Sequence, residues 1–119
     1  MTKGSTEELV DSLLVELRRG TLVLTVLSQL EHPEYGYSLV QKLEEKDAAI
    51  EPGTLYPLLR RLEKQNLLVS QWDTSDSRPR KYYKLSKEGK EVYERLKMEW
   101  LNLSKKLEVL MGGENDGSD

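Results

Sequence analysis

"LLVSQWDTSDSRPRKYYKLS", residues 67–86, decides the fold. Its ends, "LLVSQWD" (67–73) and "KYYKLS" (81–86), are short runs of apolar and aromatic residues and read as two strands. The seven residues between, "TSDSRPR", are too many for a tight turn and make an extended hairpin loop. Side chains alternate along a strand, so Tyr83 and Leu85 are expected to point inward and Tyr82 to stay partly exposed. Arg78, Arg80 and Lys81 gather around one proline at the loop tip. A hairpin with a cationic tip needs a body to stand on, and the flanking sequence supplies it.

Immediately upstream, "EPGTLYPLLRRLEKQN" (51–66) reads as a helix. Leu55, Leu58, Leu59 and Leu62 recur at i, i+3, i+4 and i+7, so they share the face toward the core. Arg60 and Lys64 fall opposite, with Arg61 on the flank and Thr54 and Tyr56 near the N-terminus. Proline is harmless only in a first turn, so Pro57 predicts a start near Thr54. Asn66 suits a left-handed cap. Before it, "YSLVQKLEEK" (37–46) is a short amphipathic helix with Leu39, Val40 and Leu43 inward, and "HPEYG" (32–36) reads as a loop. "TLVLTVLSQLE" (21–31) is apolar almost all round and reads as a buried helix. Ser5 and Glu8 have capping-box spacing ahead of Leu9, Val10, Leu13, Leu14 and Leu17, which places a helix over residues 6–19 that stops at Gly20.

Downstream, Ser86 is the expected cap of a long helix over residues 87–111. Along it Tyr93, Leu96, Trp100, Leu103, Leu107 and Leu110 step by 3, 4, 3, 4, 3, the seam of a coiled coil. A helix of that span is about 37 Å long at ~1.5 Å per residue, too long to hide on so small a body. Its expected partner is a second copy of the chain, with the N-terminal helix crossing to that copy. The tail "GGENDGSD" (112–119) has the composition of a disordered acidic segment. The expected organisation is an N-terminal helix (1–20), a DNA-binding unit (21–86), a dimerisation helix (87–111) and the tail. The fold class is mainly α with a two-stranded β-wing, a winged helix-turn-helix plus a long C-terminal dimerisation helix.

The 119 residues suit one domain, and the net charge is −3. The charge is unevenly spread. From Gly53 to Lys87 eight Lys/Arg face three acids, a local +5 that leaves −8 for the rest. There is no cysteine and a single histidine, so neither a disulfide framework nor a metal site is expected, and no cofactor. No paired carboxylates in a pocket-like context, nucleophile elbow or phosphate-cradling glycine loop points to an enzyme. With acids in the N-terminal stretch and no long apolar run, a cytoplasmic protein without membrane contact is expected.

"YGYSLVQKLEE", "EPGTLYPLLRRLEKQNLL" and "RPRKYYKLSKEG" together resemble the PadR family of bacterial transcriptional regulators over about residues 21–101. Gly36 and Tyr37 match the first signature. Pro52, Gly53, Thr54, Leu55, Tyr56, Arg61, Leu62 and Glu63 match the second, and Arg80, Lys81, Tyr82, Tyr83, Leu85 and Gly89 the third. Asn66 and Ser86 stand where the family usually has glycine and threonine. The resemblance implies a homodimer that binds an imperfect palindrome in double-stranded DNA and usually represses. Thr54, Tyr56, Arg60, Arg61 and Lys64 are then expected in the major groove, with Arg78, Arg80, Lys81 and Tyr82 on the flanking backbone. Tyr93, Leu96, Trp100, Leu103, Leu107 and Leu110 are expected at the dimer interface. It also implies that Trp100 and its symmetry mate can sandwich a small aromatic or hydrophobic ligand. Glu63 is expected to be a structural salt-bridge or capping residue and not a DNA contact. The competing expectation is a winged-helix module for protein–protein contact without sequence-specific DNA binding.

Overall fold

The computed structural model describes residues 2–112, with side chains from residue 4 onward. The tail expected to be disordered lies, from residue 113, outside the described residues.

The chain begins with α1 (Thr2–Arg19), which ends one residue before Gly20. Ser5 lies inside this helix and not at its start, so the S-x-x-E spacing is no capping box here. An N-cap needs extended backbone, and at Ser5 the backbone is already helical. The apolar face of α1, with Leu9, Val10, Leu13 and Leu17, is exposed.

Helix α2 (Leu22–Ser28) is shorter than the apolar run that encodes it. The turn beyond it is tightened by Gln29 N–H to Val26 O (3.1 Å) and Leu30 N–H to Leu27 O (3.2 Å). The Leu30 carbonyl instead accepts from Leu85 N–H at 2.8 Å, which ties the helix end to a strand. "HPEYG" is not all loop: Glu34–Tyr35 form β1. It is followed by α3 (Gly36–Glu45), α4 (Pro52–Lys64), β2 (Leu68–Asp73), β3 (Arg80–Leu85) and α5 (Lys87–Leu110).

The sheet therefore has three antiparallel strands in the order β1-β3-β2, one more than the hairpin alone. Leu68 faces Leu85 and Asp73 faces Arg80 across the hairpin, while Tyr35 pairs with Tyr82 on the other edge. Two residues are too short a run for strand periodicity to reveal; β1 exists because β3 has a second edge to offer.

The leucines of α4 that share a face are buried, together with Val26, Leu27, Leu39, Leu43, Leu68, Tyr83 and Leu85. Tyr83 and Leu85 point inward and Tyr82 is half-buried, as the alternation requires. Helix α4 starts at Pro52, two residues before the expected start, with Pro52 at N1 and Pro57 in the helix interior. Pro57 cannot donate to the Gly53 carbonyl four residues back. Both residues are exposed, so water can satisfy that carbonyl. Asn66 has φ +65, the left-handed cap expected of it.

Two glycines are required by close approach. A Cβ on Gly36 would sit 2.3 Å from Tyr56 Cε1, so Gly36 lets the Tyr56 ring pack over the start of α3. A Cβ on Gly89 would sit 2.0 Å from the Leu67 carbonyl oxygen. There the first turn of α5 lies directly on the end of the α4–β2 connection. Ser86 holds the junction three ways: its N–H donates to Leu67 O (3.0 Å), its hydroxyl to Asn66 O (2.6 Å), and the same hydroxyl accepts from Gly89 N–H (2.8 Å).

Candidate nucleic-acid interface

The candidate site is built on α4 and the hairpin. On α4 the buried leucines fix the rotation of the helix, so Arg60, Arg61 and Lys64 are exposed on the side away from the core. Thr54 is exposed in the first turn. Tyr56 is half-buried, packed on the core and against Gly36. Pro57, Arg60, Arg61, Lys64 and Lys81 line one groove, which brings the helix cations and the hairpin together.

The hairpin cations divide. Arg78 is exposed in the loop, while Arg80 opens β3 with its guanidinium 4.8 Å from the Tyr35 ring centroid and 3.7 Å from the Asp76 carboxylate. That ion pair is solvent-exposed and weak. Lys81 is not at the loop tip, where the sequence put it. It lies on β3 with its Nζ 3.2 Å from Glu63 and 5.2 Å from the Tyr83 ring. Glu63 is the structural salt bridge expected of it, and it also accepts from the Ser70 hydroxyl. That hydroxyl, and then Lys81, hold the Glu63 carboxyl below its usual range against the opposing effect of burial. Burial lowers the Lys81 pKa, but Glu63 and Tyr83 together outweigh it and leave the value raised. The pair welds the end of α4 to the middle of the sheet.

A second network, at the loop end of the hairpin, had little sequence signal. Tyr35 donates to Asp73 at 2.6 Å, and Asp73 also accepts from the Ser75 backbone N–H (3.1 Å) and hydroxyl (2.7 Å). These bonds, Tyr35's first, hold the Asp73 carboxyl down at about 2. In return the Asp73 acceptor pushes the Tyr35 phenol above its ordinary value. Only the D-x-S spacing of the Ser75 turn was visible locally; Tyr35 lies 38 residues away. Glu34 likewise anchors β1 to α3 through Lys42 (2.8 Å) and Ser38 (3.0 Å). Two exposed aromatics, Tyr37 and Trp72, received no functional role from the sequence.

The C-terminal seam lies on α5. Tyr93 is half-buried against the chain's own core, with Lys97 Nζ 5.7 Å from its ring. Leu96, Trp100, Leu103, Leu107 and Leu110 are exposed.

Three helices, a cation-bearing fourth and a β-hairpin wing define a winged helix-turn-helix of the transcription-regulator class. Residues 23–95 match the sequence model of the Transcriptional regulator PadR-like family. The structure is similar to that of a PadR family transcriptional regulator from Eggerthella lenta, with a TM-score of 0.87 and 46% identity, covering 92% of this chain and 98% of that one. It is also similar to a PadR-like transcriptional regulator from Bacillus cereus, with a TM-score of 0.73 and 30% identity over 83% of this chain and 99% of that one. In sequence it is 37% identical over 76 residues to the transcriptional regulator Rv3488 of Mycobacterium tuberculosis, covering 63% of this chain and 71% of the relative. The chain belongs to the PadR-like family of transcriptional regulators.

Proposed function

We propose that the protein is a homodimeric repressor of an imperfectly palindromic operator, and that a flat aromatic or hydrophobic compound at the dimer interface releases it. The observation that carries this reading is the pair of exposed surfaces of opposite character on one small chain. The first is cationic: Arg60, Arg61 and Lys64 on α4 and Arg78 and Arg80 on the wing. Thr54, Tyr56, Arg60, Arg61 and Lys64 meet base edges and phosphates in the major groove. Arg78, Arg80, Lys81 and Tyr82 lie along the backbone, Lys81 sharing its charge with Glu63.

The second surface is apolar. Leu96, Trp100, Leu103, Leu107 and Leu110 on α5 and Leu9, Leu13 and Leu17 on α1 leave two helical faces uncovered in one chain. A contiguous apolar face of this kind stays in water only at a cost that a partner removes. A second copy joined there, with Tyr93 at the near end of the seam, gives the two-fold arrangement that a palindrome requires. Trp100, exposed at 43%, supplies a flat π surface for a ligand between the two copies. A ligand that changes the distance between the two recognition helices would misalign contacts that tolerate only hydrogen-bond distances.

The test is fluorescence anisotropy of a duplex from upstream of the protein's own gene beside a random duplex of equal length, over a salt series. Preference for the upstream duplex with steep salt dependence is the expected result. Equal binding to both would remove sequence reading by α4 at that operator. No binding at low salt would turn the reading toward a protein-contact module.

A further inference from the structure

Tyr37 and Trp72 are 69% and 59% exposed, unusual for large aromatics that carry no part of the core. They border one open trough of about 270 Å³. Gly36, Tyr37 and Tyr56 form one wall, at the starts of α3 and α4; Trp72, Lys81 and Tyr83 form the other, on the wing. Trp72 and Lys81 are direct cross-strand partners, so they share the sheet face that turns toward α4. Lys81 also lines the neighbouring groove of Arg60, Arg61 and Lys64, so the two depressions adjoin at this residue.

We infer that this trough seats one strand of the DNA backbone, with a deoxyribose against the Trp72 indole and a phosphate between Trp72 and Tyr37. The inference rests on the DNA-binding reading above and names a contact that reading lacks. A shallow trough of this size, open to solvent, suits a chain passing over it better than an enclosed small molecule. Its polar edges are complementary to a phosphate, which only accepts hydrogen bonds. The indole N–H of Trp72 is a donor without acceptor capacity, and the phenols of Tyr37 and Tyr56 can donate. The Lys81 ammonium, on the same face as Trp72, adds positive charge that it shares with Glu63. The indole face supplies apolar area for the sugar. Such a contact positions the duplex without reading its sequence.

The consequence is a signature distinct from those of the α4 and wing cations. Trp72→Ala should weaken binding of the upstream duplex and of a random duplex by the same factor, about tenfold, as for a buried aromatic anchor. The salt slope should stay that of the parent, because no charge is removed. Trp72→Phe, which keeps an aromatic face of smaller area and loses the N–H, should fall between. The direct test labels the full chain with 5-fluorotryptophan, assigns the Trp72 fluorine signal with Trp72→Phe, and adds a random duplex of about three helical turns at low salt. The Trp72 signal should shift on saturation. A parent protein that binds duplex with an unmoved Trp72 signal, or a Trp72→Ala variant that binds both duplexes as the parent does, removes the trough assignment alone. A parent that binds no duplex removes the DNA reading and the trough's occupant with it.

Discussion

Gly89→Ala tests whether the junction between α5 and the winged-helix body is as tight as the geometry states. An added Cβ would stand 2.0 Å from the Leu67 carbonyl oxygen and 2.9 Å from its carbon, while ordinary contact begins near 3.4 Å. The neighbours are backbone, so no side chain can swing aside; α5 must move by about an ångström or more. A movement of that size pulls Ser86 N–H off Leu67 O, now at 3.0 Å, and disturbs the Ser86 bonds to Asn66 and Gly89. Overpacking costs about 1–3 kcal/mol and a disrupted hydrogen bond about 1 kcal/mol. These are alternative routes of relaxation and do not simply add. Against them stands a gain of up to about 1 kcal/mol from replacing a helical glycine with alanine. The net expectation is a loss of about 1–2 kcal/mol, or a fall in Tm on the order of 5 °C. Thermal unfolding followed by circular dichroism at matched protein concentration is the assay, because association would shift Tm by mass action. Gly53→Ala is the control, since a Cβ there meets nothing within 4 Å; it should be neutral or slightly stabilising. A Gly89→Ala protein as stable as the parent, or more so, would refute the junction geometry.

Asp73 should make stability depend on pH in the acid range. Its carboxyl is held at about 2, below its unfolded value near 3.9, so the stabilisation is present above about pH 4 and lost as pH falls through 2. Tm against pH should therefore drop more steeply over that window for the parent than for Asp73→Asn, and parallel curves would remove the Tyr35–Asp73 bond from the account. Arg78→Ala should weaken binding to any duplex and reduce the salt slope by about 0.9 per subunit in a log–log affinity plot, about 1.8 for a bound dimer, where an unchanged slope would place Arg78 off the DNA. Leu103→Glu with Leu107→Glu should convert dimer to monomer in sedimentation equilibrium without loss of helix in the winged body, since both side chains are exposed in the single chain. A dimer that survives both charges would put the interface elsewhere.

Much of the fold was legible because it rests on local periodicity. The Leu55, Leu58, Leu59 and Leu62 repeat alone orients α4, and the alternation in "KYYKLS" alone sends Tyr83 and Leu85 inward. Asn66 and Ser86 announced their turn and cap by side-chain chemistry that acts within a few residues. The start of α4 was misplaced because the rule that proline belongs to a first turn is a tendency. An exposed carbonyl at Gly53 lets Pro57 sit deeper in the helix. Ser5 misled in the same way: a capping-box spacing is also an ordinary spacing inside a helix.

The sequence by itself determined the order of the helices and of the wing hairpin, the faces that α3 and α4 bury, the cationic stretch between Gly53 and Lys87 and the family signatures, since all of these are carried by residues close together in the chain. Only the tertiary structure decided which cations stay exposed. Glu63 meets Lys81 across 18 residues and Tyr35 meets Asp73 across 38. Such pairings depend on how β1, β3 and α4 pack, and no local pattern encodes them. The same holds for the two close approaches at Gly36 and Gly89, and for the trough that brings Tyr37, Tyr56 and Trp72 together from three elements. Periodicity acts over a few residues, whereas charge pairing and concavity arise only when distant segments are brought into contact.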